Sequence, residues 1–236
     1  MARMFAESPR ANRIAALVAL AALALASNFG CARNQEDGKK NQVDERLKAG
    51  AQALENEEWA RAFDAFADAI DADPQNADAF YGRAAAASAQ AEEHYRLAQA
   101  AATNQDVEKG REEAEKADQF FARVVEDCNA AIKINPNYAD AYFLKGVAAQ
   151  YQAAWDDGIE AFTQCVKLDP QRGEAFHRRA EIYDHVGDYM NSSVDFKKAA
   201  ELGFVKKDEK SQEAIDEDFS DLKYDPEEEK SNDENK

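Results

Sequence analysis

The fold class predicted for this chain is all-α, a file of about four stacked helix pairs in which the second pair has elongated helices. Alanine, the strongest helix former, supplies 49 of the 236 residues, and only 10 Gly and 5 Pro interrupt them. Pro74, Pro136 and Pro170 each close a helical run, in Ala-Asp-Pro, Ile-Asn-Pro and Leu-Asp-Pro. The last two lie 34 residues apart and the first two 62, which is one further period of 34 with 28 residues added. A fixed spacing of this size marks a repeat protein in which each unit needs its neighbours to bury its apolar face.

Residues 1–30 stand outside that fold and are expected to be a signal peptide. Arg3, Arg10 and Arg13 precede an apolar run from Ile14 to Ala26, which is shorter than the ~20 residues of a membrane span. Two processing sites compete. Ala24-Leu25-Ala26 is an A-x-A site and implies a soluble exported protein. Gly30-Cys31 resembles the end of a bacterial lipobox, with Asn28 and Phe29 where that pattern has Leu and a small residue. On this resemblance Cys31 is the lipidation site, the protein faces the periplasm from a membrane, and residues 31–42 are a polar tether.

The repeats occupy residues 43–204, as 43–76, 77–138, 139–172 and 173–204. Phe66-Ala69-Pro74 recurs as Phe162-Cys165-Pro170 and, in the last copy, as Phe196-Ala199-Phe204. Four residues before each Phe stands a small residue (Ala62, Gly158, Ser192), and seven before stands an aromatic (Trp59, Trp155, Tyr189). In the first helices Gly50, Ala84, Gly146 and Ala180 share a small position, with Phe80, Tyr142 and Phe176 four residues ahead of the last three. Small residues let crossing helices approach, and the aromatic fills the space beside them. This pattern resembles the tetratricopeptide repeat family over some two thirds of the chain.

The 28 additional residues of the second unit carry almost no helix breaker. Thr103-Asn104-Gln105-Asp106 is the evident turn and helix start, so both helices are expected to lengthen by 14 residues. That arm is either a solvated hairpin, a projection that touches a partner or another copy, or a degenerate extra repeat. Residues 205–236 form an acidic tail with six Lys against thirteen acids. It is expected to be disordered near its end, with a short helix available over 211–222.

Chemistry is sparse. The net charge of −18 argues against nucleic-acid binding, which needs a basic patch. No P-loop, dinucleotide fingerprint, nucleophile with its base or metal-spaced Cys pair is present, so neither enzymatic activity nor a cofactor is expected. Two lesser arrangements stand open. His177, Glu181, Asp184 and His185 share one helix face and could hold a divalent metal. Cys128 and Cys165 are either a disulfide or two reduced core thiols.

The family resemblance implies partner binding on the face made by the first helices. Carried onto this sequence, the groove positions are Leu47, Ala51 and Leu54, then Tyr81, Ala85 and Ser88, then Phe143, Val147, Gln150 and Tyr151, and last His177, Glu181 and Asp184. The first three sets offer an aromatic and aliphatic strip and the fourth turns acidic. The chaperone-binding subfamily clamps a carboxylate with Lys and Asn at these positions. This chain has neither there, so that mode is not expected. The reading is a lipid-anchored scaffold for a protein or peptide, with self-association through the long hairpin as the alternative.

Overall fold

The computed structural model describes residues 36–204, with side chains from Lys40 onward. Among these residues there are eight helices and no strand. They are α1 (Glu36–Glu55), α2 (Trp59–Ala72), α3 (Ala77–Thr103), α4 (Val107–Ile134), α5 (Ala139–Tyr151), α6 (Trp155–Leu168), α7 (Gly173–His185) and α8 (Tyr189–Glu201). The pairs α1–α2, α3–α4, α5–α6 and α7–α8 stack in file. Each second helix packs on the first helix of the next pair, and the first helices α1, α3, α5 and α7 also touch one another in sequence. The second helices do not touch one another. The first helices therefore line the inner side of the curve and the second helices its outer side.

Two kinds of turn repeat along the chain. Within each pair the helices are joined by three residues, the middle one left-handed: Glu57 (φ 59°), Gln105 (φ 61°), Ala153 (φ 56°) and Gly187 (φ 82°). The amide after each left-handed residue donates back to the end of the first helix, as Glu58 N to Ala53 O (2.8 Å), Asp106 N to Ala101 O (2.9 Å), Ala154 N to Ala149 O (2.9 Å) and Asp188 N to Tyr183 O (2.8 Å). This is the Schellman closure of a helix C-terminus. Between pairs, the Asp or Asn before proline is pushed out of helical conformation. Its side chain then accepts from the amide two residues on: Asp73 from Gln75 (3.0 Å), Asn135 from Asn137 (3.1 Å) and Asp169 from Gln171 (3.2 Å).

The 28 extra residues lengthen both helices and leave the turn alone. The helices α3 and α4 have 27 and 28 residues where α5 and α6 have 13 and 14. Asp106 caps α4 by accepting from Lys109 N at 3.2 Å.

Aromatics fill the gaps between helices as the small positions require. Phe66 lies against both Gly50 and Gly82, and Phe162 lies against Gly146. A Cβ would come within 2.8 Å of the Phe66 ring at Gly50 and within 2.7 Å of the Phe162 ring at Gly146. Both Phe side chains are fully buried.

One boundary differs from expectation. The helix α1 begins at Glu36, so residues 36–42 of the expected tether are helical. The stretch is polar throughout, so it carries no apolar periodicity to announce a helix, yet Glu, Lys and Gln are good helix formers. The expected signal peptide, Cys31 and the acidic tail with its 211–222 segment lie outside the described residues. Among the described residues no helix is long and apolar enough to cross a membrane.

Candidate functional site

The inner side of the third and fourth pairs gathers a half-buried aromatic and a ladder of polar side chains. Phe143 on α5 meets Phe162 edge-on, ring centroids 5.7 Å apart. The guanidinium of Arg172 lies over the Phe143 ring at 4.8 Å, and that of Arg178 at 5.9 Å. Such cation–π contacts hold the ring in one orientation. Arg172, in the turn before α7, is ion-paired with Asp140 one turn before Phe143, and its Nε lies 3.6 Å from Asp169. Burial is the strongest single influence and works against its charge, but Asp140 and its other neighbours together raise its pKa.

The ladder runs beside this ring. Arg178 Nε pairs with Glu174 at 3.3 Å and its Nη1 donates to Gln150 Oε1 at 3.3 Å. Gln150 Nε2 donates to Glu181 Oε2 at 3.1 Å, and His177 Nε2 lies 3.5 Å from Glu181. The His177 ring also meets Phe196 edge-on at 5.1 Å. Side chains of α5 and α7 are thus locked to one another before any partner arrives, and the charges of Arg172 and Arg178 are matched by Asp140 and Glu174.

The expected apolar strip is shorter than the sequence suggested. Leu47, Leu54, Tyr81 and Val147 are core residues, with Tyr81 only 8% exposed; Ala51, Ala85 and Ser88 are buried with them. The helices α3, α5 and α7 each pack against at least three others and α1 against two, and these side chains lie in those contacts, so they are covered by packing and offer no free surface. Tyr81 lies tilted against Tyr138, centroids 5.1 Å apart, while the Tyr138 hydroxyl donates to Asp78 at 2.8 Å. Burial pushes both hydroxyl pKa values upward. Tyr151 has a different task. It stacks on Phe121 at 4.6 Å and meets Tyr95 edge-on at 5.0 Å, which fixes the root of the long hairpin to the third pair. Phe143, His177 and Glu181 keep partial exposure at the expected place.

His185 lies against Trp155, ring centroids 4.2 Å apart, so it is not gathered with His177, Glu181 and Asp184. Among the described residues no three His, Cys, Asp or Glu form a group that could hold a metal. Cys128 and Cys165 are free and buried. Burial raises both thiol pKa values, that of Cys165 to about 11 against the opposing pull of Arg172. Arg172 and Arg178 were not singled out by sequence reasoning. The available signal was a basic residue two places after Pro170, directly ahead of a first helix.

No protein-family profile matches the chain. Among solved structures, the MamA RS-1 double mutant is similar at TM-score 0.52 and 16% identity, over 84% of this chain and 97% of that one. The fold is a tetratricopeptide solenoid. Another tetratricopeptide structure, the first such domain of Spaghetti (RPAP3) bound to an HSP90 peptide, is similar at TM-score 0.48 and 20% identity, over 62% of this chain and 94% of that chain. Two curated proteins share shorter stretches. A UDP-N-acetylglucosamine–peptide N-acetylglucosaminyltransferase of Giardia intestinalis is 28% identical over 94 residues. A DnaJ homolog subfamily C member 7 homolog of Dictyostelium discoideum is 23% identical over 136 residues. The matches span 40% and 56% of this chain but 6% and 20% of those proteins.

Proposed function

We propose that this chain is a non-catalytic protein-interaction scaffold that docks a peptide or helix against the inner side of α5 and α7. The observation that carries the reading is Phe143, half-buried between Arg172 and Arg178 and bordered by the Gln150–Glu181 hydrogen bond. A concave face of this kind suits an extended or helical segment. Its side chains are already fixed, so little ordering entropy is lost on binding. The two arginines are neutralised by their neighbours, while Glu181 and Asp184 leave the border acidic. The partner therefore presents an apolar anchor flanked by basic groups. Phe143→Ala lowers recovery of that partner at least tenfold in quantitative capture from the host; recovery equal to wild type for every captured protein rejects the docking face.

We further place the scaffold outside the cytoplasm, in a bacterial cell envelope, held by lipid on Cys31. The supporting features are the basic start, the Ile14–Ala26 apolar run and Gly30-Cys31. Several acyl chains would be needed, since one anchors weakly. The intact mass of the mature protein decides among acylated Cys31, cleavage after Ala26 and an uncleaved chain.

A further inference from the structure

The solvent-facing row of the second helices changes character in the fourth pair. Counted from the aromatic that opens or aligns with each second helix (Trp59, Phe121, Trp155, Tyr189), the row occupies the positions three before, one after and five after. In the first pair these are Asn56, Ala60 and Asp64, and in the second Asp118, Ala122 and Glu126. In the third they are Gln152, Asp156 and Glu160. All are exposed. In the fourth pair the same three positions hold Val186, Met190 and Val194, exposed by 47%, 80% and 62%, with Tyr189 beside them at 69%. The stripe is not the leftover face of an absent fifth pair. The equivalent rows of pairs one to three face solvent even though each pair is followed by another.

We propose that this stripe is a self-association surface, on which a second copy of the chain lays its own α8 antiparallel to the first. Charge supports that occupant. The rows of the other pairs carry carboxylates, but this stripe carries none. It begins beside Asp188 at the N-terminus of α8 and ends at Lys197 and Lys198. A two-fold axis between Met190 and Val194 sets Met190 of one copy over Val194 of the other and brings Lys197 within a turn of Asp188 of the other copy. Such an isologous contact pairs acid with base twice and opposes the two helix dipoles. Lys198 has Glu201 at 3.3 Å, an exposed pair of small worth that leaves the lysine available. Met190 and Val194 lie about 6 Å apart along α8, and Val186 precedes them in the turn. So short an apolar contact buries well under the about 1,000 Å² of a stable specific interface, and the dimer is weak and reversible.

Sedimentation equilibrium of the full chain tests this. The mass rises with concentration from 26.2 kDa toward twice that value, with a midpoint in the micromolar range or above. Met190→Glu and Val194→Glu, both on solvent-exposed side chains, each weaken association at least tenfold while circular dichroism stays unchanged. Lys197→Glu weakens it, and so does Asp188→Asn, a change that keeps the helix cap. A chain that stays monomeric at every concentration, with the stripe covered by its own tail or by a lipid surface, overturns the proposal. So does a dimer indifferent to Met190→Glu and Val194→Glu.

Discussion

Arg83 grips Asp127 across the root of the long hairpin through two hydrogen bonds, Nε to Oδ2 at 2.8 Å and Nη2 to Oδ1 at 2.7 Å. Asp127 is almost wholly buried, and its hydrogen bond raises the arginine pKa, against burial that lowers it. The same grip recurs two repeats on. Arg179 Nε and Nη2 meet Asp195 at 2.6 and 2.8 Å, and its Nη1 donates to Thr163 at 2.9 Å. The corresponding positions in the third pair hold Lys145 and Ala161, so the device belongs to the even-numbered pairs. In each it fixes the register of a first helix on its second.

Asp127→Ala leaves a guanidinium buried without its counter-charge and lowers stability by about 3 kcal/mol. Replacing both partners, as Arg83→Met with Asp127→Leu, costs far less, because no buried charge is then stranded. Urea unfolding of the two variants, compared as a cycle with the single changes, measures the difference.

The within-pair turns put a non-glycine residue in the left-handed region at Ala153 and a glycine at Gly187. An L-residue there carries about 1 kcal/mol of backbone strain, partly offset by the greater freedom of unfolded glycine. Ala153→Gly is therefore neutral to stabilising, by up to about 1 kcal/mol, and Gly187→Ala is destabilising by a similar amount. A Cβ at Gly187 meets nothing within 4 Å, so thermal melts of the two variants read backbone strain rather than packing.

Glu113 in the arm is held below the ordinary carboxylate range by hydrogen bonds from His94, at 2.6 Å, and Lys116, at 3.1 Å, while burial pushes the other way. A depressed folded-state pKa contributes stability above the unfolded value of about 4.3 and loses it as pH falls through the folded value. Amide exchange in the distal halves of α3 and α4, referenced to α5, is thus expected to quicken on acidification below about pH 4. In Glu113→Gln the arm exchanges faster already at neutral pH and the acid step is gone.

Cys128 and Cys165 are shielded thiols, and with Cys165 pushed up to about 11 neither supplies thiolate near neutrality. A Cys31→Ser variant shows no reaction with a disulfide reagent at pH 8 while folded, and two equivalents once unfolded in urea. Rapid reaction of either thiol in the native protein would contradict the packing described.

The repeat frame was legible because prolines, small residues and aromatics sit where covalent geometry and close packing permit little else. The long pair was legible in outline, since 28 residues with almost no breaker and one turn signal at 103–106 are most simply taken up by lengthening two helices. The docking face was less so. Leu47, Leu54, Tyr81 and Val147 are apolar, as a groove would be, but an interior helix is apolar on several sides and its pattern does not say which side is covered. Arg172 escaped notice because its role depends on reaching from a turn over the ring of Phe143, a relation between residues 29 positions apart. The helical start at Glu36 left no trace because a polar helix end has no period.

Docking of a partner on the inner face of α5 and α7 is tested most directly by site-specific photo-cross-linking in the intact host. A photoreactive residue at Asp184, next to the Gln150–Glu181 ladder, is expected to capture a discrete partner that is lost when Phe143→Ala is added. The same residue at Asp156 on the outer side captures none. Equal capture from both positions, or capture at Asp184 that survives Phe143→Ala, would contradict it.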